Sequence, residues 1–304
     1  MNGRHGWAVL TLGVMTAALS ACGISFRHAK PQAQTQIITV HVNQSASVSA
    51  LPFHVAERLG FFTQNRLSVL PASPSRAEVV IGPAGKNWPI VGYVSTRPDM
   101  VLMAPIPDPQ FRLAALNHLP MLMSADLAQE KPWLEKIFAA HHATISGWTT
   151  LKPRRINALW RLHHLPWVLV TLQEAQHLRA LDSKSVVLAW LGASTGPVPS
   201  WVVTSKHTGP AVAHFLNALN LALWYLNTTP AANAASDLSS AANNLIRSTW
   251  LIKAAQHYQY WPVTTFPNQN MYDRRRAMWN SDWPAYQTAV NPIPADQALA
   301  TVGK

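Results

Sequence analysis

The chain has 304 residues, 48% of them hydrophobic and only 12% charged, with a formal net charge of +11. That charge reflects a shortage of acids, 13 against 24 Lys and Arg, and the bases are dispersed apart from Arg274-Arg275-Arg276, which reads as a solvated helix face. The clustered basic surface expected of a nucleic-acid binder is therefore missing, and the low acid count is compatible with an acidic exterior. The length suits one two-lobed unit with a large core.

In chain order, Arg4 and His5 precede an apolar run from Trp7 to Ala18, the layout of a secretory signal. The run ends in Leu19-Ser20-Ala21-Cys22, which resembles the bacterial lipobox at all four positions. The resemblance implies a signal peptide over 1–22, with Cys22 lipidated as the new N-terminus on the extracytoplasmic face of the cell membrane. The alternative is an ordinary signal peptide with an incidental cysteine. The apolar run is about a dozen residues, short of the ~20 needed to cross a bilayer. The richest later stretch, Phe215 to Leu226, is interrupted by Asn217 and Asn220. Cys22 is the only cysteine, so an anchored chain keeps no thiol for a disulfide, a metal or catalysis.

Residues 23–36 lack periodicity and read as a tether. Ile37 to Val42 is a β-branched strand, followed by a small polar loop from Asn43 to Ser47. Leu51 to Leu59 reads as a short helix stopped by Gly60. Leu67–Leu70, Ala77–Ile81, Ile90–Val94 and Met100–Ala104 are short apolar strands bounded by Pro, Gly or Asn. Asp126 to His142 is helical, with Leu127, Trp133, Leu134, Ile137 and Phe138 on one face, and Pro153 introduces another helix over 154–164. Strands at 167–170 and 185–190 flank a helix at 173–181. A strand from Ser200 to Thr204 leads into a long helix marked by Ala211, Phe215, Ala218, Leu219, Ala222 and Tyr225. Further helices are expected near 231–246, 248–258 and 268–280. Strands separated by helices predict an α/β fold with mainly parallel sheets.

Three segments carry a family resemblance. Ala50-Leu51-Pro52-Phe53-His54-Val55-Ala56-Glu57-Arg58-Leu59-Gly60-Phe61-Phe62, with Arg66-Leu67-Ser68-Val69 after it, resembles the opening of the ABC-transporter substrate-binding proteins for nitrate, sulfonates, taurine and thiamine-pyrimidine precursors. Gly196 to Lys206, and then Ala218, Ala222 and Leu226-Asn227-Thr228-Thr229-Pro230, resemble that family's return strand and long helix. Ala77-Glu78-Val79-Val80-Ile81-Gly82-Pro83-Ala84 resembles another strand and loop, with Glu78 in the usual aspartate position. The resemblance implies a type II periplasmic-binding-protein fold. Lobe one would be 37–104 and 198–304, and lobe two 105–197, with a helical C-terminal part. The implied function is capture of a small organic or anionic solute between lobes that close on a hinge, and its delivery to an ABC permease. A monomer without catalytic residues, cofactor or metal is expected. The stretch between Leu70 and Ile81 is too short for the helix the family carries there. That keeps open a degenerate binding fold used as a sensor or docking module. A third reading is an enzyme like the relatives that make thiamine pyrimidine, although no lysine here sits in a supporting motif.

In an open α/β sheet, ligands bind beyond the carboxyl ends of the strands, where helix starts leave free N–H groups. Asn43, Gln44, Ser45 and Ser47 are candidates there, and the same composition also makes ordinary turns. Gly82 and Pro83 would line the same face. Thr96 and Arg97 follow a strand, and Arg97 is either a bidentate anion clamp or a surface arginine. Trp148 and Thr149 offer an aromatic wall with a hydroxyl, or simply a core tryptophan. Glu174 would hold an amino or amidine group, or cap its helix. The pairs His141-His142 and His163-His164 point about 100° apart on a helix, so neither chelates alone, and no Cys or carboxylate joins them at ligand spacing. Ser194-Thr195-Gly196 is not a nucleophile elbow, and no P-loop or zinc signature occurs.

Overall fold

The computed structural model describes residues 35–43, 47–83, 88–194, 196–238, 248–266 and 268–279. Cys22, the signal segment, the tether before Thr35, Gln44, Ser45 and the tail from 280 lie outside these residues. Strands β1 Gln36–Val42, β2 Leu67–Pro71, β3 Val79–Gly82 and β4 Ile90–Ser95 come first, then β5 Met100–Ala104, β6 Pro120–Ser124, β7 Gly147–Leu151, β8 Val168–Thr171, β9 Val186–Ala189 and β10 Trp201–Ser205. They form two five-stranded sheets, ordered β2-β1-β3-β10-β4 and β7-β6-β8-β5-β9.

The two sheets share one topology. In the first, β1 runs parallel to β2 and β3, and β10 is antiparallel to β3 and β4. In the second, β6 runs parallel to β7 and β8, and β5 is antiparallel to β8 and β9. Four strands of each sheet therefore point one way, but the opposed fifth makes two of the four pairings antiparallel, so the sheets are mixed rather than mainly parallel. The single opposed strand is in each case the first one laid down after the chain crosses between sheets.

Met100–Ala104, expected in lobe one, belongs to the second sheet. The chain leaves the first sheet directly after β4, through Thr96–Asp99. An all-apolar strand carries no mark of which sheet it enters, and all five of its residues are buried. The return crossing is residues 190–200. The two crossings are tied together: Val198 N donates to Thr96 O at 2.8 Å, and Ser200 N donates to Ser95 O at 3.0 Å.

The family-like segment at Leu51 to Phe62 is a packing device. Helix α1 Leu51–Arg58 has Pro52 in its first turn, where a missing N–H costs nothing. The chain then turns through Gly60 at φ +73, a conformation glycine adopts without Cβ strain, into α2 Phe61–Gln64. Phe62 stacks on Phe215 at 5.3 Å, and Phe53 lies 5.4 Å from Phe62. In numbering by chain order, the helices that follow are α3 Lys131–Ala140, α4 Pro153–Arg161, α5 Leu172–Leu181 and α6 Pro210–Thr228. Phe215 belongs to α6, whose apolar residues are buried on almost every side. Asn220 interrupts that run because its Oδ1 accepts Thr265 N at 2.7 Å in the interior. No described helix is long and apolar enough to cross a membrane. The short link from β2 to β3 contains only turns, as its length implied.

The predicted face of α3, with Trp133, Leu134, Ile137 and Phe138, fills the second lobe's core beside Met121, Met123 and Leu169. Helices α7 Ala231–Asp237, α8 Thr249–His257 and α9 Gln269–Trp279 complete the described chain. The last of them departs from its assignment to lobe one alone. Tyr272 of α9 packs with Ile90, Tyr93 and Val202 on the first sheet. Lys136 of α3 in the second lobe donates to the carbonyls of Ala277 and Met278 at 3.1 and 2.8 Å. Trp190 on the return crossing stacks on Tyr258 at 3.9 Å. The two lobes thus share one apolar interior, in which Ile156, Trp160 and Leu178 meet Leu251 and Ile252.

A Cβ on Gly192 would run into the carbonyl oxygen of Pro98 on the other crossing. Gly192→Ala must push the crossings apart and should cost about 2 kcal/mol, the usual scale of overpacking. Gly147→Ala, whose Cβ would meet nothing within 4 Å, should be close to neutral. Urea midpoints for the two variants check this.

Candidate functional site

The shared topology dictates where a ligand can sit. β1 and β3 lie side by side but their chains continue to opposite sides, and β6 and β8 repeat this in the second sheet. These are switch points, and their carboxyl ends open a crevice. Between the two sheets, beside the crossings, lies a cavity of about 260 Å³. Pro83 follows β3, Ala125 and Asp126 follow β6, and Thr171 ends β8. Pro98, Asp99, Met100, Ser200 and Trp201 come from or adjoin the crossings, and Leu127, Gln129 and Glu130 complete the wall.

The second-lobe wall is built by interlocked caps. Ser124 Oγ accepts Asp126 N at 3.3 Å, starting the 3-10 helix Ala125–Glu130, and donates to Glu174 Oε1 at 2.6 Å. Glu174 also closes a capping box at the start of α5. Its Oε2 accepts Thr171 N at 2.8 Å, while Thr171 Oγ1 accepts Glu174 N at 3.2 Å. Leu172 N donates to Asp99 O at 2.8 Å, which fixes the outward crossing to the same helix start.

Four of the chain's 13 acidic residues meet here: Asp99, Asp126, Glu130 and Glu174. Asp99 is half-buried and lines the cavity. Burial first, and then the charge of Glu174, push its carboxyl up to about 8, with smaller pushes from Glu130 and Asp126 against the pull of its own backbone N–H. Burial also raises Glu174, against the hydrogen bonds from Ser124 and Thr171. Glu130 has a cation nearby, with Arg275 Nη1 at 3.7 Å. Burial holds that guanidinium down at about 10, against the attraction of Glu130. Arg275 is only 4% exposed, so the run Arg274-Arg275-Arg276 is not a solvated face throughout. The sequence showed three adjacent bases, and α9 turns the middle one inward. Among the described residues no group of three or more His, Cys, Asp or Glu is placed to hold a metal.

The sequence candidates are distributed unevenly about this cavity. Pro83 lines it. Asn43 lies against Gly82, where a Cβ would strike its amide, and its Oδ1 sits 2.9 Å from His41 Nε2. Ser47 is buried and accepts Ser49 N at 3.2 Å, capping the 3-10 helix Val48–Ala50. Thr96 is buried in the crossing, its Oγ1 donating to the carbonyls of Gln259 and Tyr260 at 3.3 Å each. Arg97 is half-buried, which lowers its pKa, and is not among the lining residues. Trp148 packs on Phe138 at 5.9 Å and lines a separate cavity of about 260 Å³ in lobe two, with Glu135 and Ile145. Thr149 is exposed on β7. Glu174 caps its helix and also stands behind the cavity wall. Asp99, Asp126, Glu130, Thr171 and Trp201 escaped the sequence reading. Scarcity was the available signal: in a chain with so few acids, each one near a strand end merited scrutiny.

An unfolded aspartate titrates near about 4, and folded Asp99 holds its proton to about 8. Between these values the folded state binds a proton the unfolded state has lost. Asp99 therefore lowers stability as pH rises across that window, by ~1.4 kcal/mol per unit at most. Asp99→Asn should raise the melting temperature, and by more at pH 8 than at pH 5. Calorimetry across that range checks it, and a pH-independent difference would contradict the assignment.

No protein-family model matches the chain, and no curated protein matches it in sequence. Solved structures do. The ligand-binding component of an ABC-type import system from Staphylococcus aureus, with zinc bound, superposes with a TM-score of 0.59 at 12% identity, over 86% of this chain and 99% of that one. The alkanesulfonate-binding protein SsuA from Xanthomonas axonopodis pv. citri, bound to MOPS, gives 0.59 at 14% identity, over 81% and 91%. The desulfurization enzyme DSZB gives 0.56 at 12% identity, over 87% and 99%. At such identities the likeness is one of fold.

Proposed function

We propose, from the periplasmic-binding-protein fold that this chain shares with those structures, that it is an extracytoplasmic solute-binding lipoprotein. It is held to the cell membrane by lipidated Cys22, works as a monomer, and delivers a small organic solute to an ABC permease. The observation that carries the reading is the cavity between the carboxyl ends of two sheets of identical topology, beside two paired crossings. A hinge at paired crossings lets lobes close over a small molecule and open to release it. Several neighbours support the role by what they are, an import-system component and a sulfonate binder.

A catalytic reading of the same cleft has one observation in its favour, the displaced proton affinity of Asp99, and DSZB shows that the fold also serves an enzyme. The described lining residues offer the hydroxyls of Thr171 and Ser200, with no histidine or cysteine among them.

Two measurements test the proposal. In a bacterial host the unmodified chain should take up labelled palmitate and fractionate with membranes, whereas Cys22→Ser should remain unlabelled and leave the membrane fraction. In a thermal-shift screen of sulfonates, nitrate, amino acids, amines and pyrimidine precursors, a ligand at 100 times its Kd should add about 2.7 kcal/mol of stability. The ligand should be recovered chemically unchanged. A folded sample that responds to no class would overturn solute capture, and conversion of a ligand would favour the enzyme.

A further inference from the structure

We propose that the cleft takes a cationic solute, an amine, amidine or quaternary ammonium, and that the Asp99 carboxylate is its counter-ion. The inference rests on the solute-capture reading and names the chemistry of the solute. It starts from a contrast between the whole molecule and one place in it. The chain carries +11 overall, yet Asp99, Asp126 and Glu130 line a single cavity and Glu174 stands directly behind it. Glu130 is paired with buried Arg275, and Glu174 is satisfied by Ser124 and Thr171. Among the described residues, none other than Asp99's own backbone donates to the Asp99 carboxylate. A half-buried carboxylate that faces other acids and no cation is unfavourable in its charged form. It must keep a proton or meet a cation. An arriving ammonium or amidinium supplies that cation and takes the proton's place.

An anion would meet the opposite situation. Sulfonate or nitrate at this position would face the acids that line the cavity, and Arg275, the nearby cation, is already engaged by Glu130. Size adds a bound: about 260 Å³ is room for roughly nine water molecules at ~30 Å³ each, so the solute is small. The groups facing Asp99 are Glu174 at the start of α5, Glu130 and Asp126 on the 3-10 helix Ala125–Glu130, and the Tyr260 hydroxyl. Arg275 of α9 acts on them through Glu130. Each neighbouring acid favours protonated Asp99 in the empty site, so uptake of a cation is an exchange for a proton. With the proton held to about 8, affinity should rise about tenfold per pH unit below that value and level off above it.

The test is calorimetric titration at pH 6, 7, 8 and 9, each in two buffers of different ionisation enthalpy. Benzamidine, agmatine and choline serve as cationic probes, and ethanesulfonate and nitrate as anionic ones. At least one cationic probe should bind about 50-fold more tightly at pH 8 than at pH 6. It should release close to one proton at pH 7, and Asp99→Asn should remove both the slope and the release. Two results would overturn the inference while leaving solute capture standing. One is binding of an anionic probe with no cationic binding. The other is affinity that falls through pH 8, the signature of a protonated Asp99 donating to an acceptor. Equal binding by Asp99→Asn would remove Asp99 from the role. No binding by any probe to a well-folded sample would sink both readings. If Asp99→Asn fails to fold, the pH slope and proton release of the unmodified chain decide the matter.

Discussion

Two chain crossings, pressed together where Gly192 meets the Pro98 carbonyl, hold the rest of the structure in place. Their backbone hydrogen bonds, Val198 to Thr96 and Ser200 to Ser95, form a narrow band between two otherwise complete sheets. Because each sheet receives its opposed strand directly from a crossing, the sheets repeat one order, and their carboxyl ends meet beside that band. The backbone link between the sheets is therefore confined to a few residues, while each sheet keeps its own hydrogen bonding. Helix α9 and the Trp190–Tyr258 stack add contacts across the same divide.

The cleft inherits its electrostatics from the same constraint. Asp99 sits in the outward crossing because that is where the chain leaves β4, and its carbonyl is tied to the start of α5. Glu174 is at that start because a capping box takes Glu or Gln in the third helical position. Two purely structural requirements thus bring two carboxylates together in a buried place, and the 3-10 helix Ala125–Glu130 adds two more. Burial then raises the proton affinity of Asp99 and Glu174. A cavity lined by acids thus arises inside a protein of net positive charge.

Much of the fold was legible. The apolar strands, the amphipathic α3 and the buried α6 are local patterns, and a residue's neighbours in sequence fix them. The run from Leu51 to Phe62 was readable as a family-like signature, although its role as a clasp around Phe215 is visible only in three dimensions. Met100–Ala104 shows the limit: the strand was found, but its sheet was not, because a fully buried strand looks the same in either. Arg275 shows another. Three adjacent arginines carry no sign of which one a helix turns inward, and that depends on where α3 and Glu130 lie.

The sequence by itself determined most of the strands and helices, though not β6 or β7, that they alternate in an α/β order, and that Glu174 begins a helix. These follow from hydrophobic period and from capping, which act over a few residues. Only the tertiary structure decided which residues share the cleft. Asp99, Asp126, Glu130 and Glu174 are scattered over the chain and obey no common period. What joins them is the paired crossing that brings strand ends of the two sheets to one cavity, and the loss of water around Asp99 and Glu174.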